Sequence, residues 1–376
     1  MKYKKLLTIL TLTCILFTSV YVKCVDAGGA VAKSKVGITF KNPYRPGEDP
    51  SGGDDTDVGG SINHESGAIV LASGEKYTDV LTASVLANEL ETSLLLTKKN
   101  ATPGNTLDEI DRLKAKMVVV VGGTDSVSNS VASKLSKYKV VRLAGHDRYD
   151  TSIRIAEEVR RLTGNLTEAT LVSGVNFPDI ISISTFSSLK GQPILITDPE
   201  KITKTTADAI SDWKISNITI GGGYNSVSKN IENNLKAKKV NRMGGANRYE
   251  TAKIISEKVT QLTGNKKDMI LVDGTNFPDG ICINSLATLF KAPILLTTPD
   301  SLHKIVAEEV KKKDIQYTLI GGGYKSVSQK VQSELKVKNV ERVFGSDRYE
   351  TAVKISQRYS NKTLPLGVDF KASWKN

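Results

Sequence analysis

Short apolar runs and longer amphipathic segments alternate along most of the chain. In the first stretch, Ala68–Ala72, Ser93–Thr97, Met117–Val121 and Val140–Leu143 are four- or five-residue runs, mostly apolar and rich in Val, Ile or Leu. Runs this short, without polar alternation, fit strands covered on both faces. Between them lie helix-length segments: Asp79–Leu90, Leu107–Lys114, Val127–Tyr138 and Tyr149–Leu162. The last keeps Ile153, Ile155, Ala156, Val159 and Leu162 mostly on one face. Strand alternating with helix predicts a parallel sheet with right-handed crossovers. The expected fold class is therefore α/β, built from small Rossmann-like parallel-sheet modules of about four strands each.

The pattern occurs three times, at a spacing of 100 residues without a gap. Ser73-Gly74, Ser173-Gly174 and Asp273-Gly274 align, each followed by an aspartate at 79, 179 and 279. Gly122-Gly123 recurs as Gly222-Gly223 and Gly322-Gly323, and Ser126-Val127-Ser128 as Ser226-Val227-Ser228 and Ser326-Val327-Ser328. Arg142, Gly145, Arg148, Tyr149 and Thr151 return as Arg242, Gly245, Arg248, Tyr249, Thr251 and as Arg342, Gly345, Arg348, Tyr349, Thr351. Self-similarity at a fixed period marks a tandem architecture. Repeats are expected over 67–165, 166–265 and 266–362. Asp79, Asp179 and Asp279, like Ser126, Ser226 and Ser326, stand where helix N-caps are expected. The joints Leu162-Thr163-Gly164-Asn165 and Leu262-Thr263-Gly264-Asn265 are single turns, too short for independent beads.

The flanks have a different texture. Lys2, Lys4 and Lys5 precede an apolar run from Leu6 to Val22, and Val25-Asp26-Ala27 offers a cleavage site. This is a secretory signal peptide over 1–27; an uncleaved membrane anchor is the alternative. No lipobox surrounds Cys24. Residues 28–66 read as a flexible arm, since 41–65 are rich in Pro and Gly. The tail 363–376 resembles the start of a further repeat, because Leu364 to Phe370 parallels Leu171 to Phe177. It carries no sortase signal. The mature chain is expected outside the cell, with no stable membrane insertion.

Composition narrows the chemistry. The net charge is +12; removing the signal's four basic residues and one acidic residue leaves +9. An anionic partner follows from that balance. Aromatics make up only 6% of the chain, which argues against an aromatic-rich platform for carbohydrate or nucleic acid. Cys14 and Cys24 leave with the signal, so Cys282, between Ile281 and Ile283, is left as a core residue with no disulfide partner. The three histidines, His64, His146 and His303, occupy unrelated positions. No catalytic residue, metal site or cofactor is expected.

Two repeated elements remain as candidate sites. Gly221-Gly222-Gly223 follows a strand and opens a helix, where bare N–H groups favour anions. It completes neither a P-loop nor a dinucleotide fingerprint, so a structural turn, a nucleotide site and a site for another anion stay open. The second element comprises Arg142, Arg148, Tyr149 and their counterparts Arg242, Arg248, Tyr249, Arg342, Arg348 and Tyr349. Arginine presents a planar fork to phosphate or carboxylate, and tyrosine an amphipathic ring. These nine residues are the candidate binding set for an anionic ligand, which the resemblance given below makes a polymer. The competing reading is a staple in which Arg148 pairs with Asp79 or Asp150.

Together, Asn176-Phe177-Pro178-Asp179, Pro193 to Thr197, Ile220 to Gly223 with Ser226-Val227-Ser228, and the Arg242 to Ala252 box resemble the clostridial type 2 cell-wall-binding repeat. The resemblance covers about residues 67–360. It implies three modules around a pseudo-threefold axis, and non-covalent attachment to an anionic secondary polymer of the Gram-positive wall. It also implies surface-layer proteins as candidate partners. A Rossmann-like enzyme or binding protein for a nucleotide or sugar is the alternative; a nucleic-acid partner is disfavoured by export. The first repeat has no Arg-Tyr box before it, so the helix after Tyr349 is expected to close the ring.

Overall fold

A computed structural model describes residues 67–78 and 80–360. The signal, the arm, Asp79 and the tail lie outside the described residues. The first repeat runs β1 (Ala68–Ser73), α1 (Ala83–Glu89), β2 (Leu94–Thr97), α2 (Gly104–Arg112), β3 (Met117–Val121), α3 (Asn129–Lys134), β4 (Lys139–Leu143) and α4 (Arg148–Thr163). The second repeats this as β5 (Glu168–Ser173), α5 (Pro178–Leu189), β6 (Ile194–Thr197), α6 (Lys204–Asp212), β7 (Asn217–Gly221), α7 (Lys229–Asn234), β8 (Lys239–Met243) and α8 (Arg248–Thr263). The third comprises β9 (Asp268–Asp273), α9 (Pro278–Cys282), α10 (Asn284–Leu289), β10 (Ile294–Thr297), α11 (Lys304–Lys313), β11 (Tyr317–Gly321), α12 (Gln329–Glu334), β12 (Asn339–Val343) and α13 (Arg348–Ser360).

Each repeat forms a four-stranded parallel sheet, in the order β2-β1-β3-β4 and its equivalents. Leu71 pairs with Leu95 and Val120 in the first sheet, as Leu171 pairs with Leu195 and Ile220 in the second. The central strands are buried at every position in the first and third sheets, and at all but the first residue of β5 and β7, because helices cover both faces.

The three modules share their interior. Helices α1, α5 and α10 pack against one another. From Pro178 to Ser188, α5 is buried at every position, as a helix enclosed on all sides must be. Equivalent residues meet on the pseudo-threefold axis. The rings of Tyr77, Phe177 and Phe277 lie 5.8–6.2 Å apart in a triangle. At another level, Asn88 Nδ2 donates to Ser188 Oγ at 2.8 Å, Asn284 Oδ1 at 2.7 Å and Thr288 Oγ1 at 3.0 Å. Cys282 is buried and unpaired, and burial raises its thiol pKa.

The fourth helix of each repeat leaves its own sheet. Helix α4 packs on β6 and α6, α8 on β10 and α11, and α13 on β2 and α2. The ring is therefore closed by α13 on the first module, where Ser356 Oγ donates to buried Glu109 at 2.6 Å. The repeat as counted along the chain and the packing unit are offset by one helix.

Several helices start elsewhere than the apolar pattern predicts. The segment expected from Asp79 is helical only from Ala83. Asp179 is not an N-cap: Phe177 holds that position, with Pro178 opening the helix. Nor are the serines at 126, 226 and 326. Ser128, Ser228 and Ser328 occupy the cap, and Ser228 Oγ accepts from Ile231 N at 3.3 Å. The reason lies in the glycine turn, which consumes two more residues and gives Ser226 another partner.

Candidate functional site

In each sheet the strand order reverses between the first and third strands, and crevices open beyond the carboxyl ends at such points. Three elements border this crevice: the loop after the first strand, the glycine turn after the third, and the Arg-Tyr segment after the fourth.

The glycine turn is held from two sides. Gly222 and Gly322 adopt φ of +110° and +105°, a region that favours glycine. A β-carbon at either would stand 2.4 Å from the Asp179 or Asp279 carboxylate. Ser226 Oγ donates to Asp179 at 2.5 Å, and Ser326 Oγ to Asp279 at 2.9 Å. From the other side, Arg142, Arg242 and Arg342 donate Nη1 to the carbonyls of Gly122, Gly222 and Gly322 at 2.6, 2.7 and 2.8 Å. Arg242 also pairs with Glu232 at 2.9 Å and lies 4.4 Å over the Tyr224 ring. Arg342 bonds Gln332 and lies 4.3 Å over Tyr324. The first repeat has Thr124 and Ala132 at those positions, and the Nη2 of Arg142 has no hydrogen-bond partner. Burial lowers the pKa of Arg142 and Arg342. A carboxylate thus sits where a phosphate would approach the turn in the second and third modules, which disfavours the nucleotide reading.

The Arg-Tyr segments stand at the seams. Arg148 Nη1 donates to Gly174 O at 2.9 Å, Arg248 to Gly274 O, and Arg348 to Gly74 O at 2.5 Å. Each arginine therefore reaches the next module, and the third returns to the first. The partner is a carbonyl rather than the carboxylate of Asp150, and Asp79 lies outside the described residues. Asp150 instead accepts from His146 N, as Glu250 does from Ala246 N and Glu350 from Ser346 N. Asp147, Asn247 and Asp347 cap the helices, and Thr151, Thr251 and Thr351 each accept from the glycine N–H six residues earlier at 3.0 Å. Tyr149, Tyr249 and Tyr349 pack against the core, with Tyr349 only 6% exposed. A β-carbon at Gly174 would come within 2.9 Å of Tyr149 Cε1, and one at Gly74 within 2.7 Å of Tyr349 Cε1. The ring's close approach explains these glycines.

At the third module the crevice is a cleft of about 360 Å³, lined by Asn276, Asp279, Tyr324, Lys325, Phe344 and Arg348 among others. Sequence reading did not single out Tyr324 and Phe344. The available signal was their variation between repeats, as Thr124, Tyr224, Tyr324 and Ala144, Gly244, Phe344. Among the described residues, no three His, Cys, Asp or Glu side chains are grouped as a metal ion would need.

The sequence matches the family model described as Cell wall binding domain 2 (CWB2) over residues 49–132, 142–232 and 242–332. The chain belongs to this cell-wall-binding family. It is 29% identical over 269 residues to N-acetylmuramoyl-L-alanine amidase LytC of Bacillus subtilis, covering 71% of this chain and 52% of that protein. It is 29% identical over 272 residues to the amidase enhancer of the same organism, covering 71% of this chain and 36% of the relative. The chain thus spans about half or less of each relative. Cwp6 from Clostridium difficile shares the fold, with TM-score 0.60 and 23% identity over 77% of this chain and 44% of the other. Cwp8 from the same organism gives TM-score 0.58 and 25% identity, over 79% and 48%. The three repeats are wall-binding modules. No helix among the described residues is long and apolar enough to cross a membrane.

The buried carboxyls give these modules an unusual pH response. Burial raises the pKa of Asp179 and Asp279, with Ser226, Arg248 and Arg242 pulling the first partly back, and Ser326 and Arg348 the second. Burial also pushes Glu157 on α4 up to about 7. Acids raised in the folded state bind protons more tightly there than in the unfolded chain. That contribution to stability is complete below the ordinary carboxylate values and is lost as pH rises through the folded values, about 7 for Glu157. Thermal melting should occur at higher temperature near about pH 5 than about pH 7.5. Glu157→Gln should narrow that difference and stabilise the protein by about 1 kcal/mol at the higher pH. A melting temperature flat or rising over this interval would contradict the assignment.

Proposed function

We propose that the chain is a non-enzymatic anchor that attaches non-covalently, at the cell surface, to an anionic secondary polymer of the Gram-positive wall. The observation that carries this reading is the threefold match to the wall-binding family, combined with one crevice architecture repeated around a ring. The net charge of the chain, +12 in all and +9 without the signal, supports an anionic partner. A polymer with repeating units can engage several crevices of one ring, so weak individual contacts add through effective concentration. In this reading Arg148, Arg248 and Arg348 have two roles. Their Nη1 groups hold the seams, and the rest of each guanidinium borders the crevice where an acidic group of the polymer docks. Tyr149, Tyr249 and Tyr349 shape the seam from beneath. Arg142, Arg242 and Arg342 keep the glycine turn in place. Amidase activity, named for one relative, is not part of the proposal.

The test is retention of residues 28–376 on purified walls before and after chemical removal of the secondary polymer. Binding should be lost with the polymer. Attraction between exposed charges is screened within about 8–10 Å at physiological salt, so strong salt should release the protein. Mild acid should also release it by neutralising the polymer. The raised carboxyls of Asp179 and Asp279 oppose unfolding by acid, so the released protein should retain native circular dichroism. Retention through boiling detergent, with release only by wall hydrolases, would indicate covalent attachment instead.

A further inference from the structure

The three crevices differ, and the third carries something the others lack. Tyr324 and Phe344 are 51% and 41% exposed, yet they touch, with ring centroids 5.7 Å apart and planes at 66°. Large apolar side chains exposed side by side at the mouth of a cleft mark a binding surface rather than scattered surface residues. The second repeat has Tyr224 beside Gly244, and the first Thr124 beside Ala144, so neither has the pair. One face of Tyr324 is occupied by the Arg342 guanidinium at 4.3 Å, which fixes the ring. The rim adds an amide at Asn276, an ammonium at Lys325 and a carboxylate at Asp347. The half-buried Asp279 carboxylate and its Ser326 partner also line the cleft.

We infer that this cleft is a saccharide subsite, taking one pyranose ring with its apolar C–H face against Tyr324 and Phe344. Its hydroxyl groups meet the mixed donors and acceptors of Asn276, Lys325 and Asp347. Amphipathic rings bordered by a few polar groups suit a ligand with one apolar face and a polar edge. The edge-to-face pair offers a bent surface rather than a parallel slot, which suits a puckered ring better than a flat base. The carboxylates disfavour a bare phosphate. The inference rests on the wall-binding reading for the origin of the sugar. It makes the ring functionally asymmetric: all three crevices present an arginine to the charge of the polymer, and the third adds a contact with a sugar ring.

The variants Tyr324→Thr and Phe344→Ala install residues that the first repeat already carries at these positions, so the turn geometry is tolerated. The experiment is saturation-transfer NMR on the full mature chain with glucose, N-acetylglucosamine and N-acetylmannosamine. Melting temperature and wall retention are measured in parallel. The native protein should transfer saturation to at least one of these sugars, and the double variant should lose it without a change in melting temperature. On walls the double variant should bind about tenfold more weakly, while Tyr224→Thr changes binding less than about twofold. Absence of transfer from the native protein to all three sugars overturns the inference. So does equal transfer from the double variant, whether or not walls retain the protein. Failure of the native protein to bind walls overturns the wall-binding reading instead.

Discussion

A chain cut after Asn265 should fail to fold as a two-repeat protein. The cut removes β10 and α11 from one face of α8, and α10 from its contacts with α1 and α5. It takes Phe277 out of the axial triangle with Tyr77 and Phe177. It also strips α13 from the first module, where Val353 belongs to the cluster of Ile69, Leu71, Leu95 and Ile110. Each fully buried aliphatic side chain exposed in this way costs about 1.5–3 kcal/mol. A handful of them matches the whole stability of an ordinary domain, about 5–15 kcal/mol. The truncated chain should be insoluble, or soluble without near-ultraviolet circular dichroism. The intact chain should melt in one calorimetric transition, because the largest hydrophobic cluster draws residues from all three modules. Three resolved transitions, or a folded two-repeat fragment, would show instead that the modules are independent.

Much of this cooperativity was legible in the sequence. The single-turn joints at Gly164 and Gly264 forced the modules together, and both glycines end their helices in the left-handed region. Strands read closely, β3 matching its apolar run of Met117–Val121, because burial on both faces leaves an unbroken pattern. The offset of the fourth helix was readable only at the ends of the repeat array, where the missing Arg-Tyr box before the first repeat pointed to α13 as the closing helix. The apolar stripe of α4 specifies that one face is covered, and the same stripe serves whether the cover is its own sheet or the next. The arginine partners were hidden for a related reason. A search for charged partners finds Asp79 and Asp150, while a backbone carbonyl at Gly174 has no side-chain signature. The Asp179–Ser226 bond, 47 residues apart, escaped because each residue has a plausible local role as a cap. Composition misled in one respect. A low aromatic content excludes a broad aromatic platform but cannot reveal that two exposed rings, 20 residues apart, meet at one cleft.

Arg348→Gln should destabilise the ring, and more so at neutral than at acid pH. Its Nη1 closes the third module onto the first through Gly74 O, and a charge-assisted hydrogen bond of this kind is worth about 1.5–3 kcal/mol. Glutamine is too short to span the seam and leaves that carbonyl without its donor. For a cooperative unit of this size the loss corresponds to a fall in melting temperature of roughly 2.5–5 °C. A second effect acts through Asp279, whose carboxyl burial raises and the Arg348 charge partly restores. Without the arginine its pKa rises further. The unfolded chain ionises at the ordinary carboxylate value, so the added penalty is absent below that value and grows as pH climbs above it. The variant should therefore lie closer to the native protein at about pH 4.5 than at about pH 7.5. Arg348→Lys keeps the charge but not the planar fork, and should restore the pH dependence more fully than the seam. Native melting at both pH values together with weakened wall retention would assign Arg348 to the ligand alone and remove it from the seam.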